Sequence, residues 1–261
     1  MNRYDTRRVL ITGAGSGIGQ ATTLRILAEG GVVVAADISE AGLADTAAKA
    51  GVDRERLHTV LIDIGDEGSV KRGVEEALTI LGGLDVLVNA AGILRSSHTA
   101  ATSLDSFEQI IRVNLVGTFL MIREALPALQ YGNDAAVVNF SSTSAGFAHP
   151  YMAAYAASKG GIQSMTHALA GEYAKDGIRF TSVQPGSISS GMTSGAGKSG
   201  QSVGPGLPDD VDYSLMMKLQ PILGSGFAAP DAVAGVVAML ASADGAFITG
   251  TEIRIDGGTH A

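Results

Sequence analysis

A doubly wound α/β fold, with one parallel sheet of seven strands and helices on both faces, is what this sequence predicts. Three observations carry the expectation. Short β-rich apolar runs alternate with longer stretches of helical pattern. Several runs are nearly unbroken Val, Ile and Leu, as strands covered on both faces must be. The 261 residues show no internal repeat and no second alternation, so 1–261 is expected to form a single domain.

In chain order, "RVLIT" (8–12) is the first strand, and the segment 18–29 has the composition and length of the helix after it. "VVVAAD" (32–37) is a second strand, followed by a helical segment at 40–50. "HTVLID" (58–63) and the helix 67–81 form the next pair, and "DVLVN" (85–89) leads to a long helical stretch at 103–131. "AAVVNF" (135–140) precedes a helix at 152–175, and "RFTSV" (179–183) ends at a break in this rhythm. Residues 187–226 form a Gly/Ser/Pro-rich insertion containing "SSGMTSGAGKSGQSVGPG" and then "YSLMMKLQPIL". A connection that long in a compact domain is expected to be a substrate lid or binding loop. A helix at 231–242 and the strand "TEIRID" (251–256) complete the pattern.

Composition excludes several classes. Apolar residues make up 46% and charged residues 17%, which suits a packed core and opposes extensive disorder. No apolar stretch reaches the roughly 18 residues of a membrane span, so no membrane partner is expected. The start "MNRYDTRRVLITG" runs straight into a strand, leaving no room for a signal peptide. With no cysteine there are no disulfides, no thiolate chemistry and no cysteine-held metal, and a cytoplasmic location is expected. A net charge of −8 with scattered basic residues opposes nucleic-acid binding. None of the five histidines pairs at ligand spacing, so no metal is expected.

The 35 glycines point to chemistry where they cluster. "TGAGSGIG" (12–19) lies between the first strand and first helix, with Gly13, Gly17 and Gly19 spaced around Ser16 and Ile18. Glycines there permit a tight turn and let a pyrophosphate approach free N–H groups at a helix start. Asp37 ends the second strand, with Ile38 after it. Its carboxylate can accept bonds from both ribose hydroxyls of an adenosine and repels a 2′-phosphate, which favours NAD over NADP. Otherwise Asp37 caps the next helix in competition with Ser39. Asp63, followed by Ile64, either bonds an adenine amino group or is a turn residue. "NAAG", residues Asn89, Ala90, Ala91 and Gly92, follows the fourth strand with side chains small enough for backbone to pass beside a cofactor.

"AAYAASKGGI" (153–162) sets Tyr155 and Lys159 on one helix face. That spacing alone equally describes a solvated helix face. A free tyrosine titrates near roughly 10, too high for a base near neutrality, and a neighbouring ammonium together with the positive charge of an oxidised nicotinamide would lower it. A hydroxyl from Ser142 would orient and stabilise charge on the same substrate oxygen.

"TGAGSGIG", "NAAG", Asn114, Ser142, "YAASK" and "PG" (185–186), in this order and spacing, resemble the short-chain dehydrogenase/reductase family, from about residue 7 to "ITGTEIRIDGG" at 248–258. The resemblance implies a Rossmann-type domain, commonly a homotetramer, in which a nicotinamide cofactor exchanges hydride with alcohols and ketones. It implies that Tyr155 is the general acid/base and Lys159 a ribose contact. It also implies that Ser142 binds the substrate oxygen, with Ser141 the lesser candidate, and that Asn114 supports the lysine through water. Pro185, Gly186 and Ile188 match the segment holding the carboxamide. The chain departs from the common pattern at Ser189 and Ser190, where many relatives carry an acidic residue and a threonine.

The expectation is therefore an NAD-dependent enzyme acting on a small-molecule secondary alcohol or ketone. A carrier-linked 3-oxoacyl reductase using NADPH stands second, opposed by Asp37 and by the absence of Lys or Arg from Glu124 to Ser158. A non-catalytic dinucleotide sensor stands third, because both Tyr155 and Lys159 are kept. His98, His149 and Met152 flank the expected site, and Leu215, Met216, Met217, Leu219 and Phe227 give the insertion an apolar, adaptable surface.

Overall fold

The computed structural model describes residues 2–194, 204–224 and 226–261. Its seven strands are β1 (Arg8–Thr12), β2 (Val32–Asp37), β3 (Leu57–Leu61), β4 (Val86–Asn89), β5 (Ala136–Phe140), β6 (Arg179–Pro185) and β7 (Thr251–Ile255). They form one parallel sheet in the order β3-β2-β1-β4-β5-β6-β7. The chain leaves β1 towards β2 and β3, then returns to set β4 on the other side of β1. Ligands of such sheets bind outside the carboxyl ends of the strands at that reversal. The glycine-rich turn after β1 and the "NAAG" turn after β4 both open there.

The flanking helices are α1 (Gly17–Ala28), α2 (Glu40–Lys49), α3 (Glu67–Leu81), α4 (Leu104–Ile111), α5 (Gly117–Leu129), α6 (Ala153–Glu172), α7 (Gly191–Ser194), α8 (Tyr213–Met216) and α9 (Asp231–Leu240). Two apolar layers form, one on each sheet face. Ile26, Val33, Val183 and Val237 lie in one, and Leu10, Val74, Leu87, Met121 and Phe180 in the other. The strands read as continuous apolar runs because both faces are covered. This is the Rossmann-type architecture expected from the sequence.

Three local expectations are corrected. The 58–63 strand ends at Leu61, so Asp63 lies in the following loop, where its Oδ1 accepts a bond from the Gly65 N–H at 2.9 Å. The helical stretch 103–131 is interrupted by a π turn at Arg112–Val116. The helix 152–175 ends at Glu172, and a short 3₁₀ turn leads to Gly177, whose φ of +72° supplies the left-handed exit. Part of the 187–226 insertion, residues 195–203 and 225, lies outside the described residues. The rest of it contributes α7 and α8.

Candidate active site

A cavity of about 550 Å³ runs along the carboxyl ends of the strands, within the size range of small-molecule and cofactor sites. The first turn of α1 forms one wall. Ser16 stands at its N-cap but makes no side-chain cap bond, and no acidic residue occupies the first turn. The N-terminal N–H groups thus remain available to an anion. Two glycines are required for the turn to close: a Cβ on Gly19 would sit 2.1 Å from the Gly13 carbonyl oxygen, and one on Gly13 would sit 2.8 Å from the Ala91 backbone. Gly17 has φ of +53°, and a Cβ there would come within 3.0 Å of the Ser190 Cβ.

Asp37 lies beside this turn. Its Oδ2 accepts from the Gly15 N–H and its Oδ1 from the Ser39 N–H, both at 2.9 Å. Helix α2 is capped instead by Ser39, whose Oγ accepts from Gly42 N–H at 3.1 Å. The carboxylate therefore braces the glycine turn and still lines the cavity. Asp63 combines both readings of its position, a turn bond through Oδ1 and a place on the cavity wall. Open N–H groups, a carboxylate at the end of β2 and a close-packed glycine turn fit a dinucleotide.

At the other end, Lys159 is buried within α6 and its Nζ donates to the Phe140 carbonyl at 2.7 Å. The Ser141 hydroxyl donates to the Lys159 carbonyl at 3.0 Å, tying the lysine's turn of helix to the end of β5. Nζ stands 5.6 Å from the centre of the Tyr155 ring. Ser142, in extended backbone just after β5, hydrogen-bonds the Tyr155 hydroxyl and also accepts from Ser144 N–H. Burial pushes the phenol up to about 12, the bond with Ser142 opposing it, and pulls the Lys159 ammonium down to about 8. Among the protein's own influences on the phenol, desolvation is thus the dominant one.

All the expected cofactor residues line this cavity except Asn89. Asn89 is a correction: its side chain is buried at the end of β4, where its Nδ2 donates to Asn139 Oδ1 at 2.9 Å. Asn114 is fully buried and does not itself line the cavity. Its Oδ1 accepts from Ile93 N–H at 2.8 Å, and its Nδ2 donates to the Ile93 carbonyl and the Ser158 hydroxyl at 2.9 and 3.0 Å. The carboxamide therefore clamps the β4 loop to α6, with both amide protons bonded and one lone pair of Oδ1 engaged. Gly92 passes closest to it, since a Cβ there would come within 3.0 Å of Asn114 Oδ1 and 3.5 Å of Lys159 Nζ.

Of the flanking residues, His149 and Met152 reach the cavity. His98 does not, and bonds Asp210 at 2.8 Å instead. Met216, Leu219 and Phe227 line it, whereas Met217 is largely exposed. Sequence reasoning missed Arg112, Met192, Leu207, Gln220 and His260. Nothing in their local patterns marks them, because the fold brings them in from the π turn, the insertion and the end of the chain.

A dinucleotide cradle and a Ser–Tyr–Lys cluster opening into one cavity define a nicotinamide-dependent oxidoreductase of alcohols and ketones. The chain belongs to the short-chain dehydrogenase/reductase family: the model of the short chain dehydrogenase family matches residues 7–200. It is 35% identical to the meso-2,3-butanediol dehydrogenase of Serratia marcescens over 99% of this chain and 96% of that one. It is 34% identical to the 3-oxoacyl-(acyl-carrier-protein) reductase of Thermotoga maritima, over 98% of each chain. A crystal structure of a short chain dehydrogenase from Mycobacterium paratuberculosis bound to NAD superposes with a TM-score of 0.88, at 26% identity over 98% of each chain. No described helix is long and apolar enough to cross a membrane.

Proposed function

We propose that this chain is an NAD-dependent enzyme interconverting a secondary alcohol and a ketone, with Tyr155 as general acid/base. One observation carries the reading: the Tyr155 hydroxyl is bonded to Ser142 beside a buried Lys159, in the cavity that the glycine turn also lines. Bound nicotinamide supplies the hydride acceptor or donor and, when oxidised, a positive charge. In the oxidising direction Tyr155 removes the alcohol proton while Ser142 holds the same oxygen. In the reducing direction Tyr155 returns the proton. Lys159, anchored on Phe140, favours the phenolate electrostatically and offers donors to a ribose. Asn114 positions α6 and the Ile93 loop rather than passing protons itself.

Asp37 supports NAD. Both carboxylate oxygens already hold backbone N–H groups, which fixes them at the cavity wall where a 2′-phosphate would meet their charge. The carrier-linked reduction stays second: Met192, Leu207 and Met216 give the cavity an apolar wall suited to an acyl chain, and the Thermotoga relative bears that name. Small helix faces support a homotetramer, since Gly171 on α6 has open space around it and Leu104 and Phe119 are exposed on the neighbouring helices. The lack of cysteine supports a cytoplasmic setting.

The test is Tyr155→Phe, assayed by NADH absorbance across a panel of alcohols and ketones. Turnover of every active substrate is expected to fall by roughly 10²–10⁴-fold with folding unchanged. Unchanged turnover would remove Tyr155 from the mechanism.

A further inference from the structure

We propose that His149 is a specificity residue that receives a second oxygen of an uncharged substrate, a hydroxyl or carbonyl close to the reacting carbon. The inference rests on the oxidoreductase reading above and deepens it. His149 lies on the loop between β5 and α6, seven residues after Ser142, and lines the cavity with it. Its Nε2 is 3.1 Å from the hydroxyl of Thr143, the residue next to Ser142. A group held on Thr143 is therefore held close to the oxygen that Ser142 and Tyr155 address.

The imidazole is braced rather than loose. The His260 ring stands 5.7 Å from it, tilted by 49°. His260 itself stacks flat on Phe147, with centroids 4.2 Å apart and planes 4° apart, and the Arg254 guanidinium stands 5.1 Å from the Phe147 ring centre. The end of the chain is fastened in turn by Asp256, whose carboxylate accepts from Gly258 N–H and His260 N–H. The loop carrying His149 and the chain end thus lock together over the cavity.

The hydrogen-bond arithmetic of His149 leaves one nitrogen for a ligand. The Thr143 hydroxyl has a single proton and two acceptors within reach, His149 Nε2 and the Pro185 carbonyl at 3.4 Å. Whichever it chooses, Nδ1 has no partner among the described residues, and it offers a donor in one tautomer and an acceptor in the other. A neutral imidazole can therefore serve either a carbonyl or a hydroxyl oxygen. Burial holds His149 down at about 4, with His260 adding to the effect, so it is uncharged at neutral pH.

Charge placement sets the rest of the substrate class. The charged residues lining the cavity, among those described, are Asp37, Asp63, Arg112 and Lys159. The first two belong to the cradle end, Arg112 reaches the Gly65 carbonyl there, and Lys159, bonded to Phe140, stands beside Tyr155. The same cavity is also lined by the uncharged Met152, Met192, Leu207 and Gln220. A carboxylate or phosphate close to the reacting carbon would find no cation on the described cavity wall beyond Lys159, whose charge faces the phenol, and its desolvation would be costly. A neutral diol or hydroxyketone would not bear that cost.

The experiment compares 2,3-butanediol and 1,3-butanediol with 2-butanol, and 3-hydroxybutyrate as the charged control, in the full-length enzyme with NAD. For the better diol the kcat/KM is expected to exceed that for 2-butanol by at least tenfold, with 3-hydroxybutyrate below both. In His149→Leu the diol-to-monoalcohol ratio is expected to drop below threefold, and in His149→Gln, which keeps a donor and an acceptor, to stay above it. A general loss of activity cancels in these ratios, and the wild-type ratio stands even if a variant does not fold. A wild-type ratio below threefold, a preference for 3-hydroxybutyrate, or an unchanged ratio in His149→Leu would overturn this inference alone. Failure of every alcohol and ketone with either nicotinamide would overturn the proposed reaction, and this inference with it.

Discussion

Lys159 Nζ stands 5.6 Å from the centre of the Tyr155 ring and spends one proton on the Phe140 carbonyl, at 2.7 Å. A buried ammonium with one fixed bond is electrostatically costly, and its depression from 10.5 to about 8 measures that cost. At 1.36 kcal/mol per unit the cost is on the order of 3 kcal/mol. In the mechanism proposed above that charge favours the phenolate. Stability and activity are therefore opposed at this residue.

Lys159→Met is expected to raise stability at pH 7 by about 1–2 kcal/mol, since relief of desolvation exceeds the bond lost to Phe140. Turnover should collapse. The sign of the pH dependence follows from the two titrations. Between pH 8 and 10.5 the unfolded lysine still holds the proton that the folded one has released, so wild-type stability rises through this window. Urea unfolding of both proteins at pH 7 and pH 10 should find the variant's advantage shrinking at the higher pH.

Asp37→Ala should weaken NADH binding by roughly ten- to hundredfold, because it removes the ribose acceptor and frees the Gly15 N–H from its carboxylate bond. NADPH should lose less, so the ratio of the two dissociation constants moves towards one. Fluorescence titration with each reduced cofactor measures this. Tighter binding of NADPH than NADH by the wild type would reverse the assignment.

Asn114→Ala leaves both backbone groups of Ile93 and the Ser158 hydroxyl without their buried partner. A loss of about 2–3 kcal/mol is expected. Turnover should fall further than cofactor affinity, since Ser158 lies one helical step from Lys159. Thermal melts alongside separate kcat and KM values distinguish the two effects.

His149 gives a measurable acid limb. Its folded value near 4 lies below the ordinary 6.5, so the unfolded chain takes up the proton first as pH falls. Its contribution to stability is full above pH 6.5 and is lost between 6.5 and about 4. Its titratable and charged neighbours are His260 and, through the chain end, Asp256 and Arg254. Denaturation midpoints of wild type and His149→Gln across this range should converge as the pH falls.

The alternation of strands and helices, the glycine turn and the Tyr–Lys spacing were all legible in the sequence because each obeys a local rule. Strands covered on both faces must be continuously apolar, and a turn that approaches a pyrophosphate must lack Cβ atoms. The limits appeared where a distant contact competes with local pattern. The π turn at Arg112–Val116 interrupts a stretch that reads as a continuous helix, at the residue whose side chain clamps Ile93. Asp63 falls just past a strand that its neighbours would have extended, because Gly65 closes a turn on it.

What the sequence determined by itself was the sheet, its ligand-binding edge, the family and the identity of the Ser–Tyr–Lys cluster. What only the tertiary structure decided was electrostatic and long-range. Burial dominates the protein's own influence on the titration of Tyr155, and the side chains of Asn114 and Asn89 are held in buried hydrogen bonds rather than on the cavity wall. His260 meets His149 across more than a hundred residues of chain. Desolvation and such encounters depend on every element packed around a group, and a one-dimensional pattern holds no record of that surrounding.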